Sequence, residues 1–165
     1  MKQRDLIKKL KSIRFVVFDF DGVFTDNTVF VLEDGREGVF CNRSDGLGIA
    51  MLKKTGIIIW VISTEKNPVV AIRCRKLGIN CIQGCSNKLF ALKKEIKALG
   101  ISLREVAYLG NDINDKDCLK SVGFPGCVRD SHPDLLKMGL FMTRNIGGKG
   151  AVREFCDMIR KAQDE

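Results

Sequence analysis

Short apolar runs alternate with amphipathic segments along the whole chain. Leu6, Ile7, Leu10 and Ile13 mark one face of an N-terminal helix that also carries Lys2, Arg4, Lys8, Lys9, Lys11 and Arg14. The run Arg14 to Asp19 is β-branched and aromatic, and reads as a buried strand emptying into a loop at Asp-Phe-Asp-Gly. Two apolar runs follow, Thr28 to Leu32 and Gly38 to Cys41, on either side of Glu33-Asp34-Gly35-Arg36. Asp-Gly in that setting predicts a β-hairpin with a type I′ turn, which needs positive φ at both central residues. Leu47, Ala50, Met51 and Lys54 predict a helix over Asp45 to Thr55, with Ser44 or Asp45 as N-cap and Gly56 just past the end. Gly56 to Ser63 is apolar on both sides, as in a parallel strand covered by helices.

The alternation continues with a helix over Pro68 to Leu77, a strand over Ile79 to Ile82 and a helix over Lys88 to Leu99. A strand over Glu105 to Leu109, a short helix over Asp115 to Val122 and a strand at Gly126 to Val128 come next. Ser131-His132-Pro133-Asp134 looks like a helix start with Pro at N1, and Val152, Phe155, Cys156 and Ile159 share one face of a C-terminal helix. This order predicts an α/β fold: a doubly wound, mostly parallel, Rossmann-like sheet with right-handed crossovers. A hairpin insertion occupies about residues 27–42, and the 165 residues suffice for a single domain around one core. Ligands of such sheets bind outside the carboxyl ends of the strands. Asp19-Phe20-Asp21, Ser63-Thr64-Glu65 and Gly110-Asn111-Asp112 all fall at strand ends.

Composition narrows the setting. The longest apolar runs are far shorter than the roughly 20 residues of a membrane-spanning helix, and the basic start lacks the apolar core of a secretory signal, so a cytoplasmic location is expected. Seven cysteines without CxxC pairing read as reduced packing thiols. The formal charge of +8 admits nucleic acid, an anionic membrane or small anionic substrates as partners. No basic-aromatic interleaving or zinc-finger spacing supports the first, and the basic N-terminal face reads as a solvated helix surface.

The chemistry rests on Asp19 and Asp21, two carboxylates that can converge on one small volume. Such a pair suits Mg2+, which prefers carboxylate oxygens and keeps waters and phosphate oxygens in its shell. One carboxylate can attack phosphorus while the other protonates the leaving alkoxide and later deprotonates water. Gly22 leaves room for a phosphate to approach the backbone. Ser63 offers a hydroxyl to a phosphoryl oxygen, Lys88 a positive charge for the transferring group, and Asn111, Asp112 and Asp115 further oxygens for the metal.

In this order, these residues resemble the four motifs of the haloacid dehalogenase superfamily: Asp19 to Asp26 (DFDGVFTD), Ser63, Lys88 and Gly110 to Asp115 (GNDIND). The closer resemblance is to the capless branch that contains 3-deoxy-D-manno-octulosonate 8-phosphate (KDO 8-phosphate) phosphatases, nonulosonate 9-phosphate phosphatases and the C-terminal domain of some CMP-acylneuraminate synthetases. It is carried by DGVFTD, the hairpin, Asn42 to Ile49 (NRSDGLGI) and Arg144 to Glu154 (RNIGGKGAVRE). The resemblance implies a Mg2+-dependent phosphatase of an acidic sugar phosphate working through an aspartyl-phosphate, with Asp19, Asp21, Ser63 and Lys88 catalytic. It implies a metal held by Asp19, Asp21 and either Asn111 or Asp112, and substrate contacts from Gly22, Thr25, Arg43, Thr64, Glu65, Arg73 and Lys76. A homotetramer is implied too, with the hairpin at the interface, a neighbour closing each site, and a mobile segment from Gly147 onward reaching it.

Two departures stand out. Gly110-Asn111-Asp112 replaces the Gly-Asp-Asp of many relatives. Ser63-Thr64-Glu65-Lys66 replaces the Thr-Gly-Arg of octulosonate phosphatases and, with Arg73 and Lys76, points toward a nine-carbon sugar acid. The competing reading is a catalytically weak oligomerisation or regulatory module associated with CMP-sialic acid synthesis. A phosphoacceptor receiver domain fits less well, because its acceptor sits on a middle strand and no hairpin follows its first.

Overall fold

The computed structural model describes residues 3–164, so Lys2 of the basic N-terminal face lies outside the described residues. Helix α1 (Gln3–Lys11) leads into β1 (Phe15–Phe18), whose four side chains are all buried. Val16 and Phe18 pack into one apolar layer, while Phe15 and Val17 face the other, the two-residue period of a strand covered on both faces. After the hairpin strands β2 (Phe30–Val31) and β3 (Glu37–Gly38) come α2 (Arg43–Lys53), β4 (Ile58–Ile62), α3 (Val69–Leu77), β5 (Asn80–Ile82) and α4 (Lys88–Leu99). A 3-10 turn precedes β6 (Val106–Gly110) and a second one, Ile113–Asp115, follows it. The chain finishes with α5 (Lys116–Ser121), β7 (Phe124–Cys127), α6 (Pro133–Leu136), β8 (Phe141–Met142) and α7 (Ala151–Asp164).

The main sheet is parallel throughout and runs β5-β4-β1-β6-β7-β8. From β1 the chain first builds outward through β4 and β5, then crosses back to β6 on the other side. The crevice between the ends of β1 and β6 is therefore the topological switch point. Register brings the functional positions level: Phe18 pairs with both Val61 and Leu109, and the Asp19 N–H donates to Leu109 O at 3.0 Å. Ser63 and Gly110 thus lie beside the residues that follow β1.

On one side of the sheet, α7 packs along α2, and Phe155 contacts Phe18, Phe124 and Phe141. Gln163 of α7 also donates to Leu10 O at 2.9 Å and Ile13 O at 3.2 Å, closing the end of α1. The other side is filled by Leu92 and Ile96 of α4 and Leu119 of α5. No helix among the described residues is long and apolar enough to cross a membrane.

Several local expectations are corrected. The cap of α2 is Asn42, whose Oδ1 accepts from Ser44 N at 2.9 Å, not Ser44 or Asp45. Asp45 is buried inside the helix and instead accepts from Arg153 N of α7 at 3.0 Å. The hairpin turn is not type I′. Within it only Gly35 has positive φ (81°), and Leu32 N–H bonds Arg36 O around a three-residue loop, the geometry of a turn followed by a left-handed glycine. The edge strand β8 is an addition to the expected elements, since two residues carry no readable period.

Candidate active site

Asp19 leaves β1 almost fully buried, and both bonds to its side chain fall on Oδ1, from Phe20 N at 2.7 Å and from Lys88 Nζ at 2.8 Å. Oδ2 takes part in no hydrogen bond or ion pair among the described residues. Lys88 opens α4 behind the Asn87 cap, and the same ammonium reaches Asp115 Oδ1 at 2.7 Å, so one buried cation bridges two buried carboxylates. Burial works against the Lys88 charge, but the two carboxylates outweigh it and hold the ammonium above its ordinary value. Burial, then the Asp115 charge, push Asp19 up to about 7 against the lowering pull of Lys88.

Asp115, expected among the metal's oxygen donors, has both oxygens committed elsewhere. Lys88 Nζ and the Tyr108 hydroxyl, both at 2.7 Å, donate to Oδ1; Asn111 N at 2.9 Å and Asp112 N at 3.3 Å donate to Oδ2. It orients Lys88 and ties down the turn after β6. Tyr108, buried in mid-strand, gives no signal in the sequence beyond a core aromatic.

The two candidates for the metal's remaining ligand part company. Asp112 caps the Ile113–Asp115 turn, accepting from Ile113 N at 2.6 Å. Asn111 is buried against Gly22, and its Oδ1 has no hydrogen-bond partner. A buried amide oxygen without a donor costs free energy unless something positive meets it. No group of three or more His, Cys, Asp or Glu side chains forms a metal cage among the described residues. A pair of carboxylates, a neutral oxygen and room for water form an all-oxygen donor set that suits Mg2+.

Asp21 projects into an open cleft of about 290 Å3 whose lining includes Asn27, Thr28, Glu37, Glu65, Asn67 and Val69, but no Lys or Arg. Burial and the neighbouring Glu65 raise its pKa above the usual carboxylate range, the direction an acid that must protonate an alkoxide requires. Thr25 does not face this cleft. Buried, it accepts from Gly22 N at 3.1 Å and Asn27 N at 3.2 Å and donates to Asp21 Oδ1 at 3.4 Å, fastening the loop from within. Gly22 is left-handed, with φ 75°. Ser63 is buried, with its Oγ accepting from Glu65 N at 3.1 Å and its hydroxyl proton free to donate. Thr64 is exposed beside Asn114, and Glu65 Oε1 accepts from Lys66 N and Asn67 N, both at 2.6 Å.

The basic residues gather less closely. Arg43 is exposed in the first turn of α2. Arg73 donates to Asn42 O at 3.1 Å, tying α3 to the start of α2. Lys76 lies in the last turn of α3, at the end that runs away from the site. Gly147 and Gly148 pack on residues 22–26 of their own chain, and α7 behind them buries six residues, so the segment from Gly147 onward is an integral layer here rather than a tail. His132 caps α6 through Nδ1, a structural role.

A parallel sheet with a buried aspartate at its switch point, a buried lysine beside it and a second acid two residues on is an arrangement suited to a phosphoryl-transfer hydrolase. No family model matches the chain. It is 38% identical over 160 residues to the KDO 8-phosphate phosphatase of Escherichia coli (strain K12), covering 96% of this chain and 85% of that protein. The crystal structure of the Yersinia pestis KDO 8-phosphate phosphatase superimposes with a TM-score of 0.94 at 37% identity, over 97% of this chain and 87% of that one. That of the Moraxella catarrhalis KDO 8-phosphate phosphatase, in complex with magnesium, phosphate and KDO, gives 0.94 at 35% identity over 99% and 94%. The chain belongs to the KDO 8-phosphate phosphatase family of the haloacid dehalogenase superfamily and is a phosphomonoester hydrolase.

Proposed function

We propose that this chain is a Mg2+-dependent phosphatase of a phosphorylated acidic keto-sugar, KDO 8-phosphate or a nonulosonate 9-phosphate. The observation that carries the reading is the buried Asp19–Lys88–Asp115 bridge, whose Asp19 stands two residues before Asp21, which lines the open cleft. Asp19 Oδ2 attacks phosphorus, and the bond to the sugar oxygen breaks as Asp21 gives that oxygen a proton. Asp21, now a carboxylate, takes a proton from the water that attacks the aspartyl-phosphate, which returns Asp19 and releases phosphate. Lys88 and the Ser63 hydroxyl hold the phosphoryl oxygens as charge spreads over them. Asp19, the Asn111 Oδ1 and the Asp21 oxygen that does not carry the proton would hold Mg2+, with Asp112 left to its turn. Bound there, Mg2+ would supply positive charge to offset that of the phosphoryl group.

The cleft supports a second copy as partner. Its walls carry Asp21, Glu37 and Glu65 without a cation, so the sugar's carboxylate must meet positive charge from outside. Val29, Phe30, Val31, Leu32 and Phe40 of the hairpin region are exposed beside it, an apolar surface that suits a homotetramer interface. We read residues 1–165 as one catalytic unit, and unpaired thiols at all seven cysteines fit a reducing cytoplasm. The named relatives are phosphatases, which leaves the regulatory-module reading without support. Glu65 keeps the nine-carbon arm open.

Phosphate release from KDO 8-phosphate and from nonulosonate 9-phosphates, with Mg2+ and with chelator, tests the proposal. Turnover of at least one ester that vanishes with chelator and in Asp19→Asn is expected; an unimpaired Asp19→Asn protein would overturn the assignment.

A further inference from the structure

The loop after β1 has to keep Asp19 and Asp21 in register while one attacks and the other moves a proton. It is backed by residues 143–150, the segment between β8 and α7. Gly147 approaches so closely that a Cβ there would lie 2.0 Å from Gly22 O and 2.9 Å from Thr25 O. Gly148, left-handed at φ 67°, donates its N–H to Val23 O at 3.1 Å, and a Cβ on it would come within 2.5 Å of Asp26 N. The loop therefore rests on bare backbone, with no side chain to yield between the two.

Something has to hold that backbone in place. Asp130, just past β7, accepts the Gly147 N–H on Oδ1 at 2.9 Å. The turn that carries Asp130 also grips the opposite wall of the site: His132 N donates to Asn111 O at 2.8 Å, and Val128 N donates to Gly110 O at 3.2 Å. One turn thus has a hand on each side of the crevice, on Asn111 directly and on the Asp19–Asp21 loop through Gly147. Glu154 fixes the near end of the segment by accepting from Arg144 N at 2.9 Å and Asn145 N at 3.0 Å.

We propose that Asp130 is a positioning residue for phosphoryl transfer: through Gly147 it sets the spacing between the Asp19–Asp21 loop and Asn111. It is not among the residues that line the cleft at Asp21. The inference rests on the phosphatase reading, and its chemistry is an acceptor oxygen rather than a charge. Misplacing a reacting group by about 1 Å can cost up to a hundredfold in rate, and a slackened brace would act in that way.

Two measurements on the full chain decide it: steady-state hydrolysis of p-nitrophenyl phosphate with Mg2+, and hydrogen exchange of the Gly147 and Gly148 amides without metal. Asp130→Ala is expected to speed exchange at both amides and to lower kcat roughly tenfold or more, with KM changed little. Asp130→Asn keeps an acceptor oxygen and is expected to restore both readouts. Gly147→Ala risks unfolding the chain, so the Asp130 pair carries the test. The proposal is overturned if Asp130→Ala keeps the wild-type kcat and exchange, if KM alone changes, or if Asp130→Asn fails to restore the rate. A wild-type protein that hydrolyses no ester defeats the phosphatase reading instead, and the exchange rates then decide the brace by themselves.

Discussion

Replacing Lys88 by Met removes the charge from a buried bridge while keeping most of its volume. Asp19 and Asp115, which lie 2.8 and 2.7 Å from the ammonium, would face a methyl group. Breaking a buried ion pair by removing one partner costs about 3–5 kcal/mol, and two carboxylates lose their partner here. The penalty has an escape, which gives it a pH signature. Asp19 already sits at about 7 with Lys88 present, raised above its ordinary value. A carboxyl raised by folding prefers its proton in the native state, so native stability falls as pH rises from the unfolded value to the folded one, by about 1.4 kcal/mol per unit. In the wild type this loss ends at about pH 7. Without the lowering pull of Lys88 it runs on to higher pH, so wild type and variant should lie closest at about pH 6 and diverge above about pH 7 by up to about 1.4 kcal/mol per unit. Urea denaturation in chelator at about pH 6, 7 and 8.5 reads this directly. A gap that stays below about 1 kcal/mol at the highest of these, or that does not change with pH, would refute the account of the bridge.

Other outcomes follow from the same geometry. Asn111→Asp should tighten Mg2+ activation roughly tenfold by adding a ligand charge, and Asn111→Ala should weaken it by a similar factor. Asp112→Asn, which can still cap its turn, should leave the Mg2+ requirement nearly unchanged; Mg2+ titrations of activity separate the three. Because binding the metal requires an ionised Asp19, apparent Mg2+ affinity should climb as pH rises toward about 7 and then level off, by at most about tenfold per unit, in titrations at fixed ionic strength. Phe30→Glu with Phe40→Glu should break the proposed assembly and depress activity on the sugar phosphate, while light scattering reports a smaller particle; an unchanged mass would remove the hairpin from the interface.

Much of this architecture is legible in the residues themselves. The β-branched run at Arg14 to Asp19 and the two-sided apolar run leading to Ser63 mark buried parallel strands, and the strand-end rule puts Asp19, Ser63 and Asn111 around one crevice. Lys88 stands out because it opens the amphipathic segment that runs to Leu99, and the structure adds the Asn87 cap before it. What stays hidden depends on contacts across the chain. Asp115 reads as one more acid near a metal, and only folding brings four donors onto its oxygens. Asn111 and Asp112 are adjacent and each offers a side-chain oxygen, and only the turn geometry separates the oxygen that caps from the one left without a partner. Arg73 and Lys76 share a helix, but their place relative to the cleft is set by the direction in which α3 runs. Glu37 reaches the cleft wall only because the hairpin folds back, which no local period announces.

The contact between Gly22 and Asn111 has an evolutionary corollary. A Cβ at position 22 would lie 1.9 Å from the Asn111 Nδ2, so position 22 cannot gain a side chain while Asn111 keeps its place. Any larger residue at 22 demands a smaller one at 111 as well as tolerance of the left-handed φ of 75°, and shrinking 111 removes the uncommitted oxygen there. A lineage that gave up Gly22 would have to give up this oxygen as well, and single-step mutational paths through position 22 are closed while Asn111 stays as it is. Deep mutational scanning of this chain should record that as strong epistasis between two residues far apart in the chain but in van der Waals contact in space.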